Sequence, residues 1–152
     1  MKAKHLDAWF ESARIQARLS NCPRAQHGCV LVDPIHNTII STGYNGPQRT
    51  GPALCGGDCC LRTAQNVVSG EHVQIGCIHA EMNALCNANR VGHCTLGAHA
   101  IITGEPCLMC AKLLFQSGIR RVYVIDGGYS TKIGVTWLRR MDVEIVEVPK
   151  EN

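Results

Sequence analysis

The chain has no long uninterrupted apolar run, no block of like charges and no internal repeat. The first absence matters because a membrane-spanning helix needs about 20 consecutive apolar residues. The second bears on partners. Fifteen Lys and Arg against twelve Asp and Glu leave a formal charge of +3. Nucleic-acid binding leaves a stronger basic footprint, so the balance argues against DNA or RNA. No apolar segment follows Met1-Lys2-Ala3-Lys4-His5, so no signal peptide is expected and the cytoplasm is the default compartment. No linker interrupts the 152 residues, of which 45% are hydrophobic. One globular domain over 1–152 is the expectation.

Cysteine, by contrast, is abundant, at ten residues. In a reducing compartment, clustered cysteines with histidines nearby point to metal rather than to disulfides. Cys29, Cys86 and Cys94 stand in apolar or helical contexts and are expected to be packing residues.

Leu6, Trp9, Phe10, Ala13 and Ala17 recur at helical spacing, so a helix is expected over 5–19. Gly28–Val32 and Thr38–Thr42, separated by Asp33-Pro34-Ile35-His36-Asn37, read as a hairpin. From Pro47 to Cys77 the chain is Gly- and Cys-rich, with a short helix at most near Leu61–Val68. So long an aperiodic stretch is expected to be functional or stapled. Beyond it come a helix from His79 to Ala88, a strand over 98–103 and a helix opened by Pro106. A strand over 121–125, a helix capped by Ser130 and a half-exposed strand over 143–148 complete the pattern. A hairpin followed by βαβ units predicts a three-layer α/β/α sandwich around a five-stranded mixed sheet.

Two short motifs carry the chemistry. His79-Ala80-Glu81 and Pro106-Cys107-Leu108-Met109-Cys110 together have the form H-x-E…P-C-x-x-C, the signature of zinc-dependent nucleobase deaminases. His79, Cys107 and Cys110 offer three zinc ligands and leave a fourth position open, as catalytic zinc requires. Zinc lowers the pKa of a bound water to about 7. Glu81 can stand beside the metal without binding it and shuttle protons. Both motifs fall at expected helix starts, where unpaired N–H groups favour thiolates. A structural zinc knuckle is the competing reading, and the paired motifs weigh against it.

With these motifs the chain resembles the deoxycytidylate (dCMP) deaminases of the cytidine/deoxycytidylate deaminase superfamily, bacterial and phage type. The resemblance runs from about Ser20 to Val148 and includes Gly43-Tyr44-Asn45-Gly46, Ser69-Gly70-Glu71 and Gln116-Ser117-Gly118-Ile119. It implies a cytidine deaminase-like fold and hydrolysis of dCMP to dUMP with release of ammonia, in deoxynucleotide synthesis. It implies that Asn45 bonds the sugar hydroxyl and that the Ala80 backbone bonds the pyrimidine carbonyl. A homo-oligomer, most often a hexamer, is also implied, with dCTP and dTTP as effectors and Mg²⁺ at the effector site. Read alone, Tyr44-Asn45-Gly46-Pro47 is a turn.

Arg24, Gln26 and Tyr129 stand where relatives place phosphate contacts, although residues of these types are more often solvated at the surface. Gly127-Gly128 is too short to be read as a phosphate loop. Cys55 and Cys60 resemble a C-x4-C element of phage-type relatives. With Cys22 and Cys77 they would form a second, structural zinc site, Cys59 and His72 being alternates. Three further readings remain open. One is deamination of dCTP also or instead of dCMP. Another is a tRNA adenosine deaminase, against which stand the Cys-rich insertion and the weak charge. The third is an inactive zinc-stabilised binding module, against which stands the intact Glu81. A riboflavin-type pyrimidine deaminase is disfavoured because no reductase domain follows.

Overall fold

A computed structural model describes residues 2–50, 52, 55–68, 71, 73, 75–125 and 132–149. Five strands form one sheet in the order β2-β1-β3-β4-β5. The strands are β1 (Gly28–Asp33), β2 (Thr38–Tyr44), β3 (His99–Ile102), β4 (Arg121–Ile125) and β5 (Glu144–Val148). β1 is antiparallel to both β2 and β3, while β3–β4 and β4–β5 are parallel. The expected mixed sheet is thus present, and the acidic-apolar strand at the end of the chain is an edge strand.

Alternation along the strands sorts the core into two layers. Val30, Val32, Ile101, Tyr123 and Ile125 face α1 (Ala3–Ala17), which buries Phe10 and Ala13 against them. Cys29, Leu31, Ala100, Ile102, Val122 and Val124 face the other way. That face is covered by α3 (Ala80–Arg90), α4 (Leu108–Gln116) and α5 (Ile133–Arg140), through Ala84, Ala111, Leu114 and Leu138. The short α2 (Leu61–Ala64) belongs to the insertion and is half the length expected for it.

Two glycines bring the helix starts hard against their supports. A Cβ on Gly43 would overlap the Ala80 carbonyl oxygen and the Ala84 nitrogen. The first turn of α3 therefore rests directly on the backbone of β2. A Cβ on Gly134 would likewise strike the Pro106 carbonyl oxygen, just before α4.

Three expectations need correction. Cys86 and Cys94 are exposed rather than packed, unlike Cys29. Cys86 falls on the outer side of α3, whose buried residues are Ala80, Glu81, Ala84 and Ala88. Pro106 lies outside α4, because Cys107 is the N-cap, with extended backbone at φ −67° and ψ 166°. Ser130, the expected cap, lies outside the described residues; α5 begins at Ile133 with Lys132 as its N-cap.

Candidate active site

Three polar side chains converge where two helices begin. His79 is the N-cap of α3, Cys107 the N-cap of α4, and Cys110 sits in the first turn of α4. The His79 Nδ1 lies 3.5 Å from the Sγ of Cys107 and 3.5 Å from the Sγ of Cys110. Tetrahedral zinc, with Zn–N about 2.0 Å and Zn–S about 2.3 Å, needs N···S separations of about 3.5 Å. The donor set and its spacing fit zinc. Among the described residues, this is the only group of three or more His, Cys or carboxylate ligand atoms within 4.8 Å of one another.

The electrostatics of the trio suit a cation. The Cys107 thiol is held down to about 3, first by the Cys110 thiol that donates to it, then by His79 and the Cys110 backbone N–H. The same contact, together with burial, pushes the Cys110 thiol up. His79 is raised chiefly by its bond to Cys107. A metal held by these residues would replace this shared proton and keep both sulfurs as thiolates. Glu81, two residues into the same junction, is buried at 5% exposure. Burial raises its carboxyl, and the neighbouring His79 opposes that rise.

His79 and Cys107 border a cavity of about 400 Å³, a size that takes a small ligand. It lies at the sheet end formed by the close of β3 and the start of β1. Ile102, Ala80, Glu81, Asn45, His27 and Cys107 are among its lining residues. Asn45 is buried, and both ends of its amide are engaged. Its Oδ1 accepts from the His27 N–H at 2.8 Å, and its Nδ2 donates to the Ala25 carbonyl at 2.9 Å. Asn45 lies between the end of β2 and the Gly46–Ile78 bridge rather than in a turn, and it borders the cavity.

The expected phosphate contacts divide. Arg24 lines the cavity and donates to the Val67 carbonyl at 3.2 Å. Gln26 is not among the lining residues; its amide donates to the Ser20 carbonyl at 2.6 Å. Tyr129 lies outside the described residues, as does His72.

Cys22, Cys55, Cys60 and Cys77 all border the same cavity. The thiols of Cys55 and Cys77 are 3.2 Å apart, and Cys22 is close enough to Cys77 to help raise its thiol, after burial and Cys55. The four are not drawn into one tight ligand shell, and Cys60 serves as the N-cap of α2. Cys59 is exposed, paired through its backbone with Gly56.

Two cavity residues escaped the sequence reading. Arg62 lines the cavity and donates to three carbonyls of the insertion: Val73 at 2.6 Å, Val68 at 3.2 Å and Glu71 at 3.1 Å. Glu105, adjacent to the Pro106-Cys107 motif, also borders the cavity, and its buried carboxylate lies 3.5 Å from the Lys132 ammonium. Its position in the sequence was the available signal for it.

Residues 3–126 match the family described as the cytidine and deoxycytidylate deaminase zinc-binding region. The deoxycytidylate deaminase of Schizosaccharomyces pombe is 38% identical over 120 residues, covering 76% of this chain and 35% of that protein. The ComE operon protein 2 of Bacillus subtilis is 33% identical over 118 residues, covering 78% and 57%. The chain therefore spans between about a third and three fifths of the length of these curated relatives. Among solved structures, the dCMP deaminase of cyanophage S-TIM5, in complex with dCMP and dUMP, superposes with a TM-score of 0.82 at 25% identity. That match covers 97% of this chain and 99% of the phage chain. A zinc-spaced His-Cys-Cys trio, a buried glutamate beside it and a match over residues 3–126 agree: the chain belongs to the cytidine and deoxycytidylate deaminase family.

Proposed function

We propose that this protein hydrolyses dCMP to dUMP and ammonia, with zinc held by His79, Cys107 and Cys110. The observation that carries the reading is the trio at 3.5 Å spacing beside buried Glu81, on the wall of a cavity of nucleotide size. The phage dCMP deaminase, solved in complex with dCMP and dUMP, supports the choice of substrate.

Zinc bound there supplies the Lewis acidity that readies a water for attack at neutral pH. The chain's residues do the rest. The Glu81 carboxylate takes the proton released by the attacking water and delivers it to the ring nitrogen. It then carries a proton to the departing amine. The Ala80 N–H, at the first position of α3, is free of helical partners by geometry, and its role is to hold the pyrimidine carbonyl. Asn45 presents its amide edge to the sugar hydroxyl, and its two backbone bonds fix that edge in place. Arg24, a cation at the cavity wall, attracts the phosphate. Tyr129 and Gln26 remain proposals as further phosphate contacts, and Gln26 would have to leave the Ser20 carbonyl to serve.

A second, structural zinc on Cys22, Cys55, Cys60 and Cys77 belongs to the same proposal. The Cys55–Cys77 contact supports it, and Cys60 would have to turn inward. Homo-oligomerisation, control by dCTP and dTTP with Mg²⁺, and a cytoplasmic setting rest on family resemblance. No described helix is long and apolar enough to cross a membrane.

The test is ammonia release from dCMP, dCTP, deoxycytidine and a tRNA anticodon stem-loop, with zinc measured on the same sample. Turnover of dCMP with two zinc ions per chain is the expected result. Turnover of the RNA alone would overturn the substrate, and one zinc per chain would remove the structural site.

A further inference from the structure

His27, immediately before β1, lines the cavity and is half-buried. Its main chain is tied to Asn45 twice. The His27 N–H donates to the Asn45 Oδ1 at 2.8 Å, and the His27 carbonyl accepts from the Asn45 N–H at 3.1 Å. The ring is left unengaged. Neither ring nitrogen has a hydrogen-bond partner among the described residues, and neither is sealed off from accessible space. Burial first, then His79, lowers the pKa of the ring, which sets the imidazole within reach of the ligand trio's field as well as beside Asn45. In either protonation state an imidazole keeps at least one N–H donor.

We infer that His27 is a specificity-determining residue that donates a ring N–H to the 3′-hydroxyl oxygen of a bound deoxynucleotide. The inference rests on the deamination reading and deepens it, because Asn45 by itself meets only half of that hydroxyl. A hydroxyl is both donor and acceptor. The Asn45 Oδ1 keeps one lone pair beyond the bond from the His27 N–H, and that lone pair can take the hydroxyl proton. The Asn45 Nδ2 is turned to the Ala25 carbonyl at 2.9 Å. One amide cannot both accept from and donate to a single hydroxyl without bending both bonds. The hydroxyl oxygen therefore needs a donor from a second residue. Arg24 and Arg62 are cations suited to the phosphate, and both are turned to carbonyls of the insertion. The pyrimidine carbonyl falls to Ala80, and the amine end to Glu81 and the metal. His27 is clipped to Asn45, so the imidazole and the amide are placed as one unit against the sugar. A ligand that displaces water from the cavity without meeting the imidazole N–H would leave a donor unpaired, which counts against binding.

The test compares dissociation constants of dCMP and 2′,3′-dideoxycytidine monophosphate by calorimetry on the zinc-loaded full chain. A Glu81→Gln background keeps both ligands intact during the titration. Adding His27→Phe, which keeps a flat ring without an N–H, should weaken dCMP by about tenfold, the scale of one hydrogen bond. The dideoxy ligand lacks the hydroxyl, so its affinity should stay within about twofold, the spread of uncoupled changes. An equal loss on both ligands, or no loss on dCMP, overturns the assignment. A disturbed Asn45 could imitate the first result, and donor-bearing variants separate the two causes. The amide nitrogens of His27→Asn and His27→Gln stand near the places of Nδ1 and Nε2. One of these variants should recover most of the dCMP affinity, and recovery by neither overturns the proposal. Should His27→Phe fail to fold, His27→Val, a residue at home beside a strand, takes its place with the same outcomes. Ammonia release by the unaltered chain is scored separately. Its absence with every cytosine nucleotide sinks the deamination reading, whereas turnover with an unmoved ratio of the two affinities sinks only the role of His27.

Discussion

Glu81 and His79 are two residues apart, yet one is aimed to bind metal and the other to move protons. The helix start separates them: His79 caps α3 with extended backbone, while Glu81 already lies in its first turn and is buried. Glu81→Gln should retain its zinc and lose ammonia release by about 10²–10⁴-fold, the usual worth of a positioned proton carrier. Metal content and turnover on one preparation check this, and a fully active variant would sink the assignment. A second titratable residue lies far from the chemistry, at the other end of β3. His99 has an Nδ1 buried without a partner, and its ring packs at 5.9 Å on Tyr123. Burial first, then Arg121, lowers its pKa below 6.5. The unfolded chain therefore binds this proton more readily than the folded one. His99 leaves stability intact above the ordinary histidine range and erodes it as pH falls below that range. Denaturant midpoints of wild type and His99→Gln should converge as pH falls from 8 to 5 if the residue acts this way. Parallel curves would refute it.

At the level of elements, the contacts around the motifs were less legible than the motifs themselves. Phe10, Ala13 and Ala17 revealed α1 through their period, and the hairpin was visible in its turn. The signature placed His79 and the two cysteines at helix starts because its spacing is local. Pro106 misled by two positions, since an extended N-cap at Cys107 makes Leu108 the first helical residue. Cys86 and Cys94 misled because composition does not say which side of a helix or loop meets solvent. Arg62 and Glu105 act across the fold, on partners that only folding brings near. The insertion owes order to Arg62, whose guanidinium gathers carbonyls from Val68, Glu71 and Val73. Replacing Arg62 with Met should cost about 1–2 kcal/mol and speed proteolytic nicking within 65–76, while cleavage elsewhere stays unchanged. Gly43→Ala is expected to act on the site through α3. The added methyl must push the helix start off β2, at about 1–3 kcal/mol, and zinc content should fall with the melting temperature. A variant that loses stability but keeps full zinc would show that the trio tolerates the shift.

Across the whole molecule, the ligands come from opposite sides of a crossover. His79 precedes α3, whereas Cys107 and Cys110 begin α4, the helix that carries the chain from β3 to its parallel neighbour β4. Bound zinc would tie these helix starts together, so chelation should lower the melting temperature by several degrees. In urea, zinc release followed with a chromogenic chelator and loss of helix followed by circular dichroism should trace one transition. A zinc-release midpoint well below the helical one would show that the metal leaves an intact fold. Because the crossover helix supplies two of the three ligands, a chain that has paired β3 and β4 wrongly has no place to hold the metal. Loading then acts as an inspection step: only correctly threaded copies become competent, and misfolded ones stay chemically silent.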